Sequence, residues 1–154
     1  MRFSFDTSAL INPWYDLYPL DVFPRIWEGL SEAIERGIVV AQVTVIKEIG
    51  LQDDELLQWV KQQSGLEFPF DETVQRVAGD IQNKHPKLVR PNSRIGADPF
   101  VIALAKQHDL VVVSEEELTT SPSKNKGKIP YVCDDYGIPH VNFLGFMRDM
   151  GWRF

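Results

Sequence analysis

The fold is decided at the start of the chain, by the stretch Phe3-Ser4-Phe5-Asp6-Thr7-Ser8-Ala9-Leu10-Ile11. Its apolar–polar–apolar beginning predicts a short strand over residues 2–5. Asp6 follows at the tip of that strand. Ligands of open α/β sheets bind at the carboxyl ends of the strands, so this carboxylate is a candidate ligand-binding group. The alternative for Asp6 alone is an ordinary turn residue.

Strand patterns recur along the chain with helical patterns between them. Apolar runs at 38–41 and 110–113 are typical of strands, and residues 140–143 are read as a last short strand. Strands that alternate with helices predict a three-layer α/β/α domain with a central, mainly parallel sheet, and 154 residues suit a single domain over 1–154. We expect helices at about 22–36, 54–63, 72–84, 99–108 and 144–150, and a polar loop at 119–128. A further short helix carries Glu48, and Thr44 is its expected cap. Asp53, Asp71 and Asp98 are the expected caps of the helices that follow them.

Composition excludes several classes of protein. The single cysteine, Cys133, excludes an intrachain disulfide and a thiolate zinc site, and it favours a cytoplasmic location. No apolar run approaches the roughly 20 residues of a membrane helix, and Arg2 argues against a signal peptide. The net charge of -6 disfavours a general nucleic-acid coat protein. A nuclease stays possible, because the local distribution of charge matters more than the sum.

Three further acids have positions that match that of Asp6. Glu48 lies on the helix after the second strand, Asp98 begins a helix, and Glu116 follows the strand at 110–113 by three residues. We expect the side chains at three of these four positions to lie near the carboxyl edge of the sheet. Hard oxygen ligands of this kind suit Mg²⁺ or Mn²⁺. A cluster of unpaired carboxylates repels itself, a cost usually tolerated for a metal or for catalysis.

Each of these acids also has a simpler interpretation. Asp98 before Pro99 is a common helix cap, and Glu48 alone is a typical solvated helix residue. The run at 115–117 is typical of a wet surface, and Glu115 competes with Glu116 for any role there. The hydroxyls of Thr7, Ser8 and Ser114 either orient an acid, a water or the substrate, or make local turn hydrogen bonds.

Taken together, these motifs resemble the PIN domains, metal-dependent ribonucleases that include VapC-like toxins of bacterial toxin–antitoxin pairs. The resemblance covers the chain from end to end. The tail at 128–133 and the helix that carries Trp27 look like a PIN-like subgroup formerly labelled only as a domain of unknown function. This chain departs from the family pattern in having Glu116 where the family usually has aspartate, and Ser114 where it usually has threonine. The matching pieces are 5–11, Glu48 within 45–49, Asp98 within 96–105, and 111–116.

The resemblance implies a Mg²⁺- or Mn²⁺-dependent endoribonuclease, a hydrolase that leaves 5′-phosphate and 3′-hydroxyl ends. Asp6, Asp98 and Glu116 would bind the metal, and Glu48 would hold the metal or position its water. It also implies a protein antitoxin encoded nearby and possible homodimers. A catalytically inactive PIN-like module that binds RNA or protein is the alternative. A haloacid-type phosphatase is disfavoured, because Ser8 stands where that class needs a second aspartate.

Two basic segments are candidates for holding the RNA backbone. They contain no acid and flank the acidic motifs, one before Asp98 and one after Glu116. Solvated loops are the alternative. Nearby aromatic residues would stack on unpaired bases or pack against a helix or a partner. The basic residues are Lys84, Lys87, Arg90 and Arg94, then Lys124, Lys126 and Lys128; the aromatic residues are Trp14, Tyr15 and Tyr18.

Overall fold

A four-stranded parallel sheet forms the centre of the molecule. The computed structural model describes residues 1–93 and 95–154. The strands are β1 (Phe3–Phe5), β2 (Val39–Val40), β3 (Val111–Val113) and β4 (His140–Val141), in the spatial order β2-β1-β3-β4. Every neighbouring pair is parallel, which confirms the predicted α/β class with its central parallel sheet.

The two faces of β1 show how the layers form. Phe3 and Phe5 point to one face, where each ring makes an edge-to-face contact with Phe146, at centroid distances of 4.9 and 5.0 Å. Ser4 points to the other face, and its hydroxyl donates to the carbonyl oxygen of Val101 at 3.0 Å. Because alternate strand residues face opposite sides, helices cover both sides of the sheet. This gives the three layers that the sequence predicts.

Nine α-helices surround the sheet within the described ranges. A π-helical turn at Pro13–Leu17 extends the first helix, and a 3₁₀ turn at Pro86–Leu88 follows the fifth. None of the described helices has both the length and the apolar character needed to cross a membrane. The helices are α1 (Ser8–Asn12), α2 (Pro24–Glu35), α3 (Val43–Gln52), α4 (Asp54–Lys61), α5 (Glu72–Lys84), α6 (Asp98–His108), α7 (Pro122–Asn125), α8 (Ile129–Tyr136) and α9 (Phe143–Asp149).

Two of the predicted helix caps are correct and two are wrong. Asp53 and Asp71 cap α4 and α5 through their carboxylates, as expected. Thr44 does not cap α3, because the Gln42 side chain takes that role and accepts the Thr44 backbone N–H at 2.7 Å. Asp98 is the first residue inside α6 and makes no capping hydrogen bond. Its carboxylate is therefore available for other contacts.

The region after β3 contains more helix than the sequence predicts. The expected loop at 119–128 includes the short helix α7, and the following segment forms α8, which was not predicted. The signals for α8 are Pro130 near its start and the buried residues Ile129, Val132 and Cys133, which recur at helical spacing. This helix matters for the site, because its first backbone N–H meets an acidic side chain.

Candidate metal centre

Three acids meet at the carboxyl edge of the sheet. Asp6 leaves the end of β1, Glu116 lies beyond the end of the neighbouring strand β3, and Asp98 opens α6, which packs on both strands. One carboxylate oxygen from each of the three lies within 4.8 Å of the others. The side chains come from positions 6, 98 and 116, so the fold is what brings them together.

Two serine hydroxyls orient the buried Asp6 carboxylate. The Oδ2 atom of Asp6 accepts from the Ser8 hydroxyl at 2.7 Å and from the Ser114 hydroxyl at 3.2 Å. Asp6 is only 3 % exposed, and burial raises its pKa despite these hydrogen bonds. Ser8 lines the cleft in front of the acids, whereas Ser114 is buried behind them. Both hydroxyls therefore hold the side chain of Asp6, a candidate metal ligand, by direct hydrogen bonds.

Glu116, rather than its neighbour Glu115, joins the acidic cluster. Glu115 turns away, and its Oε1 accepts the Phe143 backbone N–H at 2.7 Å at the start of α9. Glu116 accepts the Ile129 backbone N–H of α8 at 2.7 Å, which holds its longer side chain in place. Burial, followed by the negative charge of Asp6, raises the pKa of Glu116 to about 7.

Three neighbouring carboxylates act on the carboxyl group of Asp98. Burial is the main reason that its pKa lies well above the ordinary value, and the charges of Asp6, Glu116 and Glu48 add to the effect. Arg90 opposes this shift. Asp98 is half-buried, and a carboxylate in such a position beside other acids is stabilised as an anion by a compensating positive charge.

Glu48 lies beside the three acids and outside their close cluster. Its Oε1 atom accepts the Thr7 hydroxyl at 3.3 Å. Burial, followed by the charge of Asp6, raises its pKa. Glu48 is therefore near enough to Asp6 to interact with it, while remaining at the wall of the cleft.

The donor set fits a small hard cation. An octahedral Mg²⁺ ion with metal–oxygen distances of about 2.1 Å places its ligand atoms up to about 4.2 Å apart. The observed limit of 4.8 Å is close to that span, so small side-chain rotations suffice to close the cluster. All three donors are carboxylate oxygens, the type that Mg²⁺ and Mn²⁺ prefer. The pKa values of these acids are raised by burial first and, for Asp98 and Glu116, by neighbouring negative charge second, and a divalent cation would favour their charged forms.

An open cleft of about 580 Å³ lies in front of the acids and has a basic wall. Lys87 and Arg90 come from the segment after α5, and Lys124 and Lys128 from α7 and the residues after it. The segments touch at Gly127, where a Cβ atom would lie 2.8 Å from the carbonyl oxygen of Lys87. We call these four side chains the basic wall.

The other residues predicted to bind the substrate are not among those shown to line the cleft. Lys126 is exposed and does not line the cleft, and Lys84 forms an ion pair with Asp135 at 2.9 Å. Arg94 lies outside the described residues.

Two of the aromatic residues pack within the protein: Trp14 contacts Trp27 and Trp59, and Tyr18 contacts Phe23 and Phe143. Tyr15 is exposed but does not line the cleft.

A family model described as "Domain of unknown function (DUF4411)" matches residues 3–154. The chain belongs to the DUF4411 family. Among curated proteins, no match to the chain is found.

Two solved structures show the same architecture as this DUF4411 chain. The crystal structure of FitAcB from Neisseria gonorrhoeae matches with a TM-score of 0.53 and 20% identity, over 92% of this chain and 98% of that one. The structure of FitAB bound to an IR36 DNA fragment matches with a TM-score of 0.51 and 18% identity, over 91% and 94%. The shared fold is PIN-like.

The DUF4411 site thus combines two chemical properties. Its floor holds three converging carboxylates, and one wall carries four cationic side chains. The acids are suited to a cation, and the wall is suited to an anion that lies next to it. A phosphodiester bound at a divalent metal would use both, because the acids hold the metal and the cations contact the phosphate.

Proposed function

We propose that this DUF4411 protein is a Mg²⁺- or Mn²⁺-dependent endoribonuclease that hydrolyses RNA phosphodiesters. The observation that carries the proposal is the convergence of Asp6, Asp98 and Glu116 within 4.8 Å at the floor of a cleft with a basic wall. The PIN-like fold supports it, because the acids occupy the carboxyl edge of a parallel sheet, where ligands bind.

The side chains of the site have distinct proposed roles. Asp6, Asp98 and Glu116 hold the metal, and the hydroxyls of Ser8 and Ser114 fix the orientation of Asp6. When bound, the cation supplies Lewis-acid chemistry that activates water and offsets charge on phosphoryl oxygens. Glu48 lies at the side, where it orients the attacking water or adds a further oxygen ligand.

Hydrolysis forms a bond between phosphorus and the water oxygen and breaks the bond between phosphorus and the 3′ oxygen. The 3′ oxygen leaves with a proton, so the products carry a 5′-phosphate and a 3′-hydroxyl. Cations of the basic wall, Lys124 among them, are placed to hold flanking phosphates of the RNA. Lys126, which does not line the cleft, and Arg94, which lies outside the described residues, remain proposed contacts.

We further propose that the protein is a VapC-like toxin of a type II toxin–antitoxin system, active on cytoplasmic RNA. The motif pattern across the chain supports the VapC-like assignment, and the fold shared with FitAB supports only the coarser assignment to a toxin–antitoxin pair. An antitoxin encoded nearby is the proposed protein partner, and a homodimer is the proposed assembly. The occurrence of a small neighbouring reading frame whose product co-purifies with this chain tests the assignment.

A second candidate is a PIN-like module without catalytic activity. The longer Glu116 side chain in place of the usual aspartate is the feature that favours it. Because Glu116 nevertheless reaches the cluster, the active enzyme is the better-supported proposal.

A cleavage assay with matched variants separates these functions. Wild type, Asp98→Asn and Asp6→Asn are incubated with total RNA in Mn²⁺ or in EDTA. Asp80→Asn, an exposed aspartate on α5, controls for the substitution itself. We expect cleavage by wild type and Asp80→Asn in Mn²⁺ only. Cleavage by Asp98→Asn at the wild-type rate would contradict the assignment, whereas an inactive wild type that fails to bind Mn²⁺ would favour the silent module.

A further inference from the structure

Arg90 has an unusual position within the basic wall. It lines the cleft with Asp98 and Glu116, and its positive charge lowers the pKa of both carboxyl groups, so it lies close enough to interact with them. An arginine next to carboxylates usually forms an ion pair. Within the described part of the chain, however, no carboxylate oxygen lies within 4.0 Å of the Arg90 guanidinium. The guanidinium therefore faces the cleft with its donors uncommitted to these acids.

The segment that carries Arg90 is held in place by close packing. Val89 packs against Gly96, where φ is +67° and where a Cβ atom would lie 2.9 Å from Val89 Cγ1. Gly96 stands two residues before Asp98. On the other side, the Lys87 carbonyl touches Gly127. The residues just before Arg90 are thus fixed by packing against Gly96 and Gly127, and this places Arg90 next to the acid cluster.

The charges of the site leave a place for a cation such as Arg90. Three carboxylates carry three negative charges, and a phosphodiester adds one, whereas a divalent cation supplies only two positive charges. The nucleophile and the leaving oxygen bring further negative charge to the phosphorus centre as the reaction proceeds. A guanidinium with a planar pair of donors matches two phosphoryl oxygens better than an ammonium group does.

We propose that Arg90 is a catalytic residue that contacts the non-bridging oxygens of the phosphodiester being cleaved. The proposal rests on the proposed nuclease function and adds a residue to it. Arg90 stays protonated throughout and takes part in neither the bond that forms nor the bond that breaks. Its role is to stabilise charge on the phosphoryl oxygens, and this separates it from the other cations of the basic wall, which hold flanking phosphates.

The test compares Arg90→Gln and Arg90→Lys with wild type on an RNA oligonucleotide that contains a mapped cleavage site. We expect both variants to lose about 100-fold in kcat, as when one preorganised donor is removed from a transition state, while KM rises by at most about fivefold, the loss that one phosphate contact gives at about 0.1 M salt. Arg36→Gln is the matched control, because Arg36 is exposed at the end of α2 and remote from the cleft. Thermal unfolding of each variant confirms that it is folded.

A binding measurement keeps this inference separate from the nuclease proposal. The probe is a fluorescent twelve-nucleotide oligouridylate in EDTA, titrated at several salt concentrations. Loss of one phosphate contact in Arg90→Gln should lower the slope of log affinity against log salt by about 0.7, whereas Arg90→Lys should keep the wild-type slope.

Unchanged kcat in Arg90→Gln, or a loss confined to KM, would overturn the catalytic role while the nuclease proposal stands. If wild type cuts no RNA, the nuclease proposal fails. The salt slope then still decides whether Arg90 contacts a phosphate.

Discussion

Replacing Glu116 with glutamine should stabilise the metal-free protein, and the gain should grow with pH. The pKa of Glu116 rises from its ordinary 4.5 to about 7, and the main cause is burial. Between these pH values the folded protein binds more protons at this group than the unfolded chain does. The free energy of unfolding therefore falls as the pH rises through that window.

The size of the effect follows from the shift. A pKa change of about 2.5 units at 1.36 kcal/mol per unit gives a penalty of about 3 kcal/mol above pH 7, of which less than about 1 kcal/mol is present at pH 5. Glutamine removes the charge but keeps a side-chain oxygen that can accept the Ile129 N–H. Glu116→Gln should therefore exceed wild type by about 2–3 kcal/mol at pH 8 and by less than about 1 kcal/mol at pH 5.

Urea unfolding followed by tryptophan fluorescence in EDTA, at pH 5 and at pH 8, measures both differences. Glu117→Gln is the control, since this exposed neighbour should change stability by less than about 0.5 kcal/mol at either pH. Adding Mn²⁺ at pH 8 at about 1,000 times its Kd should reverse the order, because that concentration stabilises wild type by about 4.1 kcal/mol, which exceeds the advantage of the variant. An equal advantage for Glu116→Gln at both pH values would refute the reasoning, because it would show that the effect is not electrostatic.

Two further substitutions test how the site is supported. Ser114→Ala removes a hydrogen bond that lowers the pKa of Asp6. In a plot of cleavage rate against pH, the ascending limb should therefore move to higher pH. An unmoved limb in a folded variant would show that this hydroxyl does not lower the pKa of Asp6. Gly127→Ala forces a Cβ atom against the Lys87 carbonyl. The free energy of unfolding in urea should therefore fall by about 1–3 kcal/mol, and RNA binding should weaken. Gly79→Ala is the control, because a Cβ atom there meets no atom within 4 Å. Unchanged stability and binding in Gly127→Ala would mean that the two basic segments move independently.

Local signals in the sequence were sufficient to predict the fold and the general place of the acids. Strand β1 ends at Phe5, so Asp6 had to lie at the sheet edge, and the apolar run at 110–113 places the residues that follow it at the same edge. The register of the sheet then brings Asp6 and Glu116 together.

The details of the site depend on contacts between distant parts of the chain. Whether Glu115 or Glu116 enters the cluster is decided by the backbone N–H groups of Ile129 and Phe143, at the starts of α8 and α9. Helix α8 was not predicted, so this selection was not visible in the sequence. Two of the four predicted caps were wrong for local reasons: Gln42 caps α3 in place of Thr44, and Asp98 lies one residue further into its helix than the capping pattern requires.

The order in which the site is assembled during synthesis follows from where its parts lie in the chain. Asp6 and Glu48 are made early, but Glu116, Gly127 and the Ile129 N–H that holds Glu116 all belong to the final third. A growing chain on the ribosome therefore lacks both a closed acid cluster and half of its phosphate-binding surface. If the protein cuts RNA as proposed, a nascent chain that has not yet reached Ile129 cannot attack the message or the ribosome that is producing it.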